Sequence, residues 1–275
     1  MANPKATGVL PVWQETFPVR FGAVDRSDRL RLSAVFQFFQ EAAISHAENL
    51  CVGREDMANA GHTWILSRMS VQVDRRPDYR ETVTVRSWPR GGEKLFALRD
   101  YDIRAGDTVC VRARSGWIVL DLKTRRPLRP QVAMNAMPLN EGLDALAGVP
   151  PSLPNSLDDS AGQNGWQKTG ERRAAYTDLD YNGHVNNVRY VQWIEDAVDM
   201  TLLEKAGRVH LELNYLSEIL GGDSVEIWSA PLDAKDAAAD VAAGAGTVAL
   251  GAFSFDGKNK ESGKSVFRAE LTLWE

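Results

Sequence analysis

Cysteine is scarce in this chain, with only Cys51 and Cys110 among 275 residues. Two thiols cannot build a disulfide framework, nor hold a zinc ion by themselves. Long apolar runs are missing too: none approaches the roughly 20 residues needed to span a bilayer. The opening MANPKATG has no cationic stretch leading into an apolar one and is short for a transit peptide, so a reduced, cytoplasmic protein is expected. No G-x-S-x-G elbow occurs, which removes the serine hydrolases built on that turn. Excess positive charge is also lacking. The net charge of −5 and pI near 5.5 argue against a nucleic-acid partner.

What is present suits a globular protein of two ordinary domains: 44% of residues are hydrophobic and 25% charged. Charge is unevenly placed. From Arg68 to Arg129 there are 15 Lys and Arg against 8 Asp and Glu, a local +7 that leaves −12 for the remainder. Such a run is ordinarily a solvated strand face, but clustered cations also raise the encounter rate with an anionic partner.

The chain is written twice. VRFGAVDRSDRLRLSAVFQFFQEAAISHAENL and RRAAYTDLDYNGHVNNVRYVQWIEDAVDMTLLEKA each run from an extended segment into a helical pattern. An offset of 154 places Phe36 on Tyr190, Phe39 on Trp193 and Glu41 on Glu195. The strands that follow match at an offset of 140, with Val73 on Leu213 and Trp88 on Trp228, so the first half carries about 14 extra residues around GREDMANAGHTWILS. Period-2 alternation predicts strands over 70–73, 82–88, 95–103, 108–120, 210–215, 224–228, 247–255 and 266–274. Turns are expected at Arg90-Gly91-Gly92, Ala105-Gly106-Asp107, Gly221-Gly222-Asp223 and Asp256-Gly257-Lys258, with consecutive strands pairing antiparallel.

The helix predicted over 33–50 is apolar most of the way round: Val35, Phe36, Phe38, Phe39, Ala42, Ala43, Ile44 and Ala47 leave little polar surface. Such a helix has to be wrapped rather than laid on a surface. The fold class is therefore α+β, a tandem hotdog in which each half is a long central helix inside a curved antiparallel sheet. The halves are placed at 1–135 and 169–275. The stretch between them, 136–168, reads as a linker with a short helix near 140–146. KDAAADVAAGAG, 235–246, is expected to lengthen a hairpin loop, and its Gly244-x-Gly246 precedes a strand rather than the helix a nucleotide fingerprint requires.

The chemistry-bearing stretch is TDLDYNGHVNN, 177–187. Asp178, Asp180, Asn182 and Gly183 begin like a calcium loop, but position 12 falls on Arg189 where the ion needs a bidentate Glu, and Val185 and Val188 already belong to a helical pattern reaching Leu202. No metal is expected. Asn186 or Asn187 is instead a good N-cap, which sets Asp180, Asn182 and His184 on a turn feeding a helix N-terminus, where free N–H groups favour developing negative charge. A carbonyl oxygen becoming an oxyanion is such a charge. His46, His62 and His210 read as structural.

DLDYNGHVNNVRYVQWIEDA resembles the signature of the acyl-acyl carrier protein thioesterases of plants and bacteria. The likeness continues through QEAAISHAENL, Trp64 to Arg68, Ser87-Trp88, Arg99-Asp100, Trp117 and LELNYLSEILGGDSV. The resemblance implies hydrolysis of fatty acyl-carrier thioesters in fatty acid biosynthesis, without cofactor, with Asp180, Asn182, His184 and Glu218 as catalytic residues. Many plant members have a Cys after that acid; here it is Ile219, so water rather than a thiol is the expected nucleophile, with Glu218 or His184 as base. At the 154 offset Arg26, Asp28 and Leu30 face the catalytic triplet, so one active site is expected, with the first half binding the acyl chain. Acyl carrier protein is acidic, and Arg75, Arg76, Arg125, Arg126 and Arg129, extended by Arg172 and Arg173, are the expected docking face. A hotdog acyl-CoA thioesterase, a hydratase and a non-catalytic acyl-binding module are the alternatives, and such a chain could pair as a homodimer without entering a membrane.

Overall fold

The alternating segments join into one continuous antiparallel sheet. The computed structural model describes residues 8–135, 137–159, 165–232 and 248–275. Its first half comprises β1 (Trp13–Pro18), α1 (Leu32–Asn49), α2 (Arg54–Asn59), β2 (His62–Val73), β3 (Thr82–Glu93), β4 (Phe96–Ala105), β5 (Thr108–Asp121), β6 (Pro127–Leu128) and α3 (Gln131–Met134). After α4 (Ser156–Asp159) come β7 (Gln167–Arg173), α5 (Asn187–Asp196), α6 (Met200–Lys205), β8 (Arg208–Tyr215), β9 (Ser224–Pro231), β10 (Ala249–Asn259) and β11 (Ser265–Trp274). The strand order β1-β3-β4-β5-β2-β8-β11-β10-β9-β7 reads the same from either end when each strand is exchanged for its repeat, with β6 added on β5. This is the double hotdog expected.

The seam is β2 against β8, registered from Arg68 opposite Asn214 to Val73 opposite Val209. Ser70 faces Glu212 at its centre, and Ser70 Oγ donates to the Glu212 carboxylate. Matching hydrogen bonds fix the true repeat. Leu30 N–H donates to Pro77 O and Val185 N–H to Ile219 O, both at 2.8 Å. The offset is thus 155 through the turns and helices and 142 through these strand-end loops. The sequence alignment slipped by one in the helices and by two in the strands. A shift of two keeps every strand side chain on its own face, so strand alternation does not distinguish the two offsets.

In α1 the residues Leu32, Val35, Phe36, Phe39, Ala42, Ala43 and His46 are buried at i, i+3, i+4 spacing, while Gln37 and Glu41 are exposed. Arg31 gives no side-chain cap; Glu195 of α5 supplies the anion there, accepting from Ser33 N–H at 3.2 Å. Burial pushes the Glu195 carboxyl up. The second helix is shorter than expected. It stops at Asp196, because Asp199 caps a new helix, α6, by accepting from Thr201 N–H at 2.7 Å. Among the described residues, no helix is long and apolar enough to cross a membrane.

Several local expectations fail for identifiable reasons. Arg90-Gly91-Gly92 and Asp256-Gly257-Lys258 are not turns but bulged positions inside β3 and β10. Gly257 is required there, since a Cβ would lie 2.0 Å from Phe267 Cε1. β2 does not pair with β3, nor β8 with β9; the links after Val73 and Tyr215 cross the sheet instead. β1 and β7 were unforeseen. KDAAADVAAGAG lies outside the described residues.

The stretch between the halves is a strap rather than a loose linker. No helix forms at 140–146, where Gly142 takes φ +80°. Leu143 O accepts from Trp88 Nε1 at 2.8 Å, and Gly148 O from Arg114 Nη1 at 2.8 Å. Further on, Pro151 O accepts from Asn214 Nδ2 and Leu153 N–H donates to Asn214 Oδ1, both at 2.9 Å, so the strap reaches β8. Its anchor is the buried pair of Asp100 with Arg114, at 2.6 and 2.7 Å, where Asp100 also accepts from Ala145 N–H at 2.8 Å. Removing one partner strands a buried charge. Asp100→Ala is therefore expected to lower unfolding free energy by about 3–5 kcal/mol, read from the urea midpoint, whereas a loss below about 1 kcal/mol would mean that the strap is not anchored there.

Candidate active site

A tight turn presents the 177–187 residues. Asp180 N–H donates to His184 O at 2.8 Å and Gly183 N–H to Asp180 O at 3.0 Å, with Gly183 at φ +79°, a conformation favouring glycine. The Asp180 carboxylate folds back to accept from Asn182 N–H at 2.8 Å. Asn186 is the N-cap: its Oδ1 accepts from Val188 N–H at 2.9 Å and its O from Arg189 N–H at 2.9 Å. Arg189, at the would-be calcium position 12, donates to Thr177 O at 2.6 Å and places Nε 3.3 Å from Asp178 Oδ1, so this carboxylate already has its cation. Among the described residues, no group of three or more His, Cys, Asp or Glu side chains is arranged to hold a metal.

The loop after β8 brings Glu218 to the turn. Val185 N–H donates to Ile219 O at 2.8 Å, and His184 bridges to Leu220, which stitches loop and turn side by side. His184 Nε2 lies 3.5 Å from Glu218 Oε2, with the side chains 32% and 38% exposed: sheltered, yet open to water and ligand. Ile219 is fully buried, so nothing at the position after the acid offers a nucleophile. Cys110 is buried beside Arg75 Nη2, at 3.1 Å. Asp180, Asn182, His184 and Glu218 are thus gathered on one stitched turn and loop.

Three neighbours were not foreseen as site residues. Tyr190, one helical turn into α5, is buried beneath the turn; burial first, then the charges of Glu218 and Asp180, pushes its hydroxyl up. Arg125, assigned to carrier docking, sits with Nη2 3.6 Å from Glu218 Oε2. Arg54, at the start of α2, holds its guanidinium 4.1 Å from the centroid of the Tyr181 ring. Arg54 belongs to the extra residues of the first half, so that insertion braces the 177–187 turn of the second. Neither contact leaves a sequence signal, because both cross the boundary between the halves.

The repeat offers a copy of this site with its chemistry inverted. Asp25, Ser27, Asp28 and Arg29 occupy the backbone positions of Asp180, Asn182, Gly183 and His184, rather than the Arg26, Asp28 and Leu30 expected. The turns match bond for bond: Asp25 N–H to Arg29 O at 3.0 Å, Asp28 N–H to Asp25 O at 3.1 Å and Ser27 N–H to Asp25 Oδ1 at 2.8 Å. Where Glu218 stands in the second half, the first has Arg76. Its guanidinium pairs with Asp25 and donates to Leu30 O at 2.9 Å, Leu203 O at 3.0 Å and Arg29 O at 3.2 Å. This copy has no histidine, and an arginine stands where the second half has Glu218.

Arg76 is therefore a buried structural cation, not part of a docking face. Arg75 is tied bidentately to Glu81 at 2.7 and 3.0 Å. Both follow the C-terminal end of β2, whereas Arg125, Arg126 and Arg129 follow β5 at the opposite end, where His62 faces Asp121. About eleven strand steps, roughly 35 Å, separate the two groups. Arg86, Arg90, Arg104, Arg112 and Arg114 are also paired, Arg90 and Arg114 with Asp144 from outside the segment and the rest with acids already counted in the local +7. Arg172 pairs with Asp196 at 3.1 Å, while Arg126, Arg129 and Arg173 are exposed. Of the other histidines, His46 is buried between Leu10 O and Arg99, with burial and that cation lowering its pKa to about 4, and His210 pairs with Glu212.

Comparison with known proteins places these features. A palmitoyl-acyl carrier protein thioesterase of Gossypium hirsutum, a chloroplastic protein, is 27% identical over 224 residues, covering 78% of this chain and 53% of that protein. An oleoyl-acyl carrier protein thioesterase of Coriandrum sativum is 25% identical, over 82% of this chain and 64% of its own length. The chain spans about half the length of the curated relatives it matches. Among solved structures, an acyl-ACP thioesterase of Bacteroides thetaiotaomicron superposes with a TM-score of 0.75 at 22% identity, covering 96% of this chain and 98% of that one. The 12:0-ACP thioesterase of Umbellularia californica gives 0.76 at 22%, covering 96% and 97%. These two share the fold. The family profile of the acyl-ACP thioesterase N-terminal domain matches residues 11–134, and that of the C-terminal domain matches 166–265. With both matched in chain order over more than half its length, this chain belongs to the acyl-ACP thioesterase family.

Proposed function

We propose that the chain hydrolyses the thioester of fatty acyl-acyl carrier protein, releasing free fatty acid, and that the 180–184 turn and Glu218 carry the reaction. The observation that supports this best is the pair of His184 Nε2 and Glu218 Oε2, 3.5 Å apart and partly open to solvent beside the N-terminus of α5. A water molecule held by this pair attacks the carbonyl carbon while its proton passes to the pair. Charge then develops on the carbonyl oxygen, toward which the Asn182 side chain and the start of α5 are turned in this reading. Val188 and Arg189 N–H are already bonded to Asn186, which leaves Asn187 N–H as the backbone donor for that oxygen. The tetrahedral intermediate collapses by expelling the thiolate, which regains the proton as the thiol, and the acid departs. Asp180 fixes the turn by its bond to Asn182 N–H. The acyl chain runs into the first half, which lacks the catalytic side chains yet keeps an apolar interior around Phe36, Phe39 and Ile103. A reduced cytoplasmic setting belongs to the same proposal.

The carrier is read from what remains exposed near the site. Arg126 and Arg129 lie on and after the turn that also holds Arg125, and Arg173 ends β7 just before the catalytic turn. They are the proposed contacts for an acidic carrier.

His184→Ala, Asn182→Ala and Glu218→Ala are each expected to lower kcat at least about 100-fold, while Ser27→Ala in the inert copy, Cys51→Ala and Cys110→Ala turn over normally. Steady-state hydrolysis by folded variants decides it, and full activity in both His184→Ala and Glu218→Ala would remove the assignment. For the carrier, Arg126→Glu with Arg129→Glu should reduce kcat/KM on acyl carrier protein several-fold at low salt, roughly 3–10-fold, with little change in kcat, because rim charges act on association. The same acyl series on CoA is the control. If the CoA thioester is hydrolysed more efficiently and the reversals change neither, CoA is the carrier.

A further inference from the structure

One cation of the first half reaches into the reacting centre of the second. Arg125 Nη2 and His184 Nε2 approach the same atom, Glu218 Oε2, at 3.6 and 3.5 Å. We propose that Arg125 is a positioning residue for thioester hydrolysis, holding Glu218 across the boundary between the halves so that its carboxylate stays aimed at His184. The inference rests on the functional reading above and adds a residue to its machinery.

The turn that carries Arg125 is built for fixed presentation. It leaves β5 at Asp121, whose Oδ1 accepts from Lys123 N–H at 3.0 Å, Thr124 N–H at 2.6 Å and Thr124 Oγ1 at 2.9 Å. These bonds hold the Asp121 carboxyl below the usual carboxylate range, those from Thr124 foremost. Asp121 N–H donates to Arg126 O at 3.0 Å and Arg125 N–H to Asp121 O at 2.9 Å, closing the turn. Arg125 itself takes φ +56°, a left-handed conformation that a glycine would adopt without strain. This conformation fixes where the side chain leaves the turn. That side chain is 59% exposed, with Glu218 as its carboxylate neighbour.

Two other readings of Arg125 fit less well. Half-exposed ion pairs add little to stability, so a fold-stabilising role accounts poorly for the contact with Glu218. A phosphate contact is hard to reconcile with position: the phosphodiester of a carrier- or CoA-bound substrate lies at the far end of the pantetheine arm, whereas Arg125 adjoins the carboxylate proposed to act at the thioester. The inert copy agrees. There the place of Glu218 is taken by Arg76, and no carboxylate needs holding.

The test uses the full chain and the acyl thioester it hydrolyses best. Arg125→Met is expected to lower kcat about tenfold with KM within about twofold of wild type, and Arg125→Lys to recover most of the loss. Combined with Glu218→Gln, Arg125→Met should cost less than about twofold further, because a residue acting through Glu218 has nothing left to act upon. A rise in KM at unchanged kcat would make Arg125 a substrate contact and overturn the proposal. So would unchanged kinetics, or an equal loss with and without Glu218. Should wild type hydrolyse no acyl thioester, or Glu218→Gln keep its full kcat, the functional reading itself falls; if both hold and Arg125→Met alone is neutral, only the positioning role does.

Discussion

The pairing of β2 with β8 is the interaction on which the rest depends. It turns two half-sheets into one, with each repeat meeting its counterpart about the Ser70–Glu212 pair as a symmetric dimer meets its twin. Because β5 lies against β2, the seam also carries the turn after β5 across to the other half. That brings Arg125 to Glu218, and the inserted α2 brings Arg54 to Tyr181. Neither half contains these contacts alone.

Duplication let the two copies of one turn diverge in charge while keeping the bonds that close the turn. In the first copy Arg76 is nearly buried and its donors are met by carbonyls and Asp25, an arrangement that ties the turn to α6 through Leu203 O. A buried guanidinium with this many acceptors is costly to move, and it makes that copy a joint. In the second, His184 and Glu218 sit farther apart than a tight ion pair and remain partly exposed. The difference lies in side-chain satisfaction alone.

The strap follows a similar logic on the outside of the sheet. Asp100 and Arg114 are buried under it, and burial pushes the Asp100 carboxyl up even with Arg114 beside it. Asp144 on the strap also binds Arg90 and Arg114, which hold its carboxyl down at about 2. Asp144 thus brings an acid from outside the basic segment to two of its arginines.

Local pattern determined a good deal. The wrapped helix α1, the cores of eight strands, the duplication and the Asn186 cap were legible, because helix burial, strand alternation and capping are set within a few residues. The cluster Asp180, Asn182 and His184 was legible for the same reason, and Glu218 through its family likeness. What only the tertiary structure decided depends on pairing between distant segments. The repeat register slipped because apolar periodicity is indifferent to a shift of two. The glycine bulges in β3 and β10 mimicked turns, since the same residue serves both. The cationic face breaks up because Asp25, Asp144 and Glu218, from outside the segment counted, pair with Arg76, Arg90, Arg114 and Arg125. Asp74, Glu81, Asp100 and Asp102 engage its arginines from within it. Charge along a chain is additive, whereas charge in a fold is settled by which side chains the sheet brings face to face.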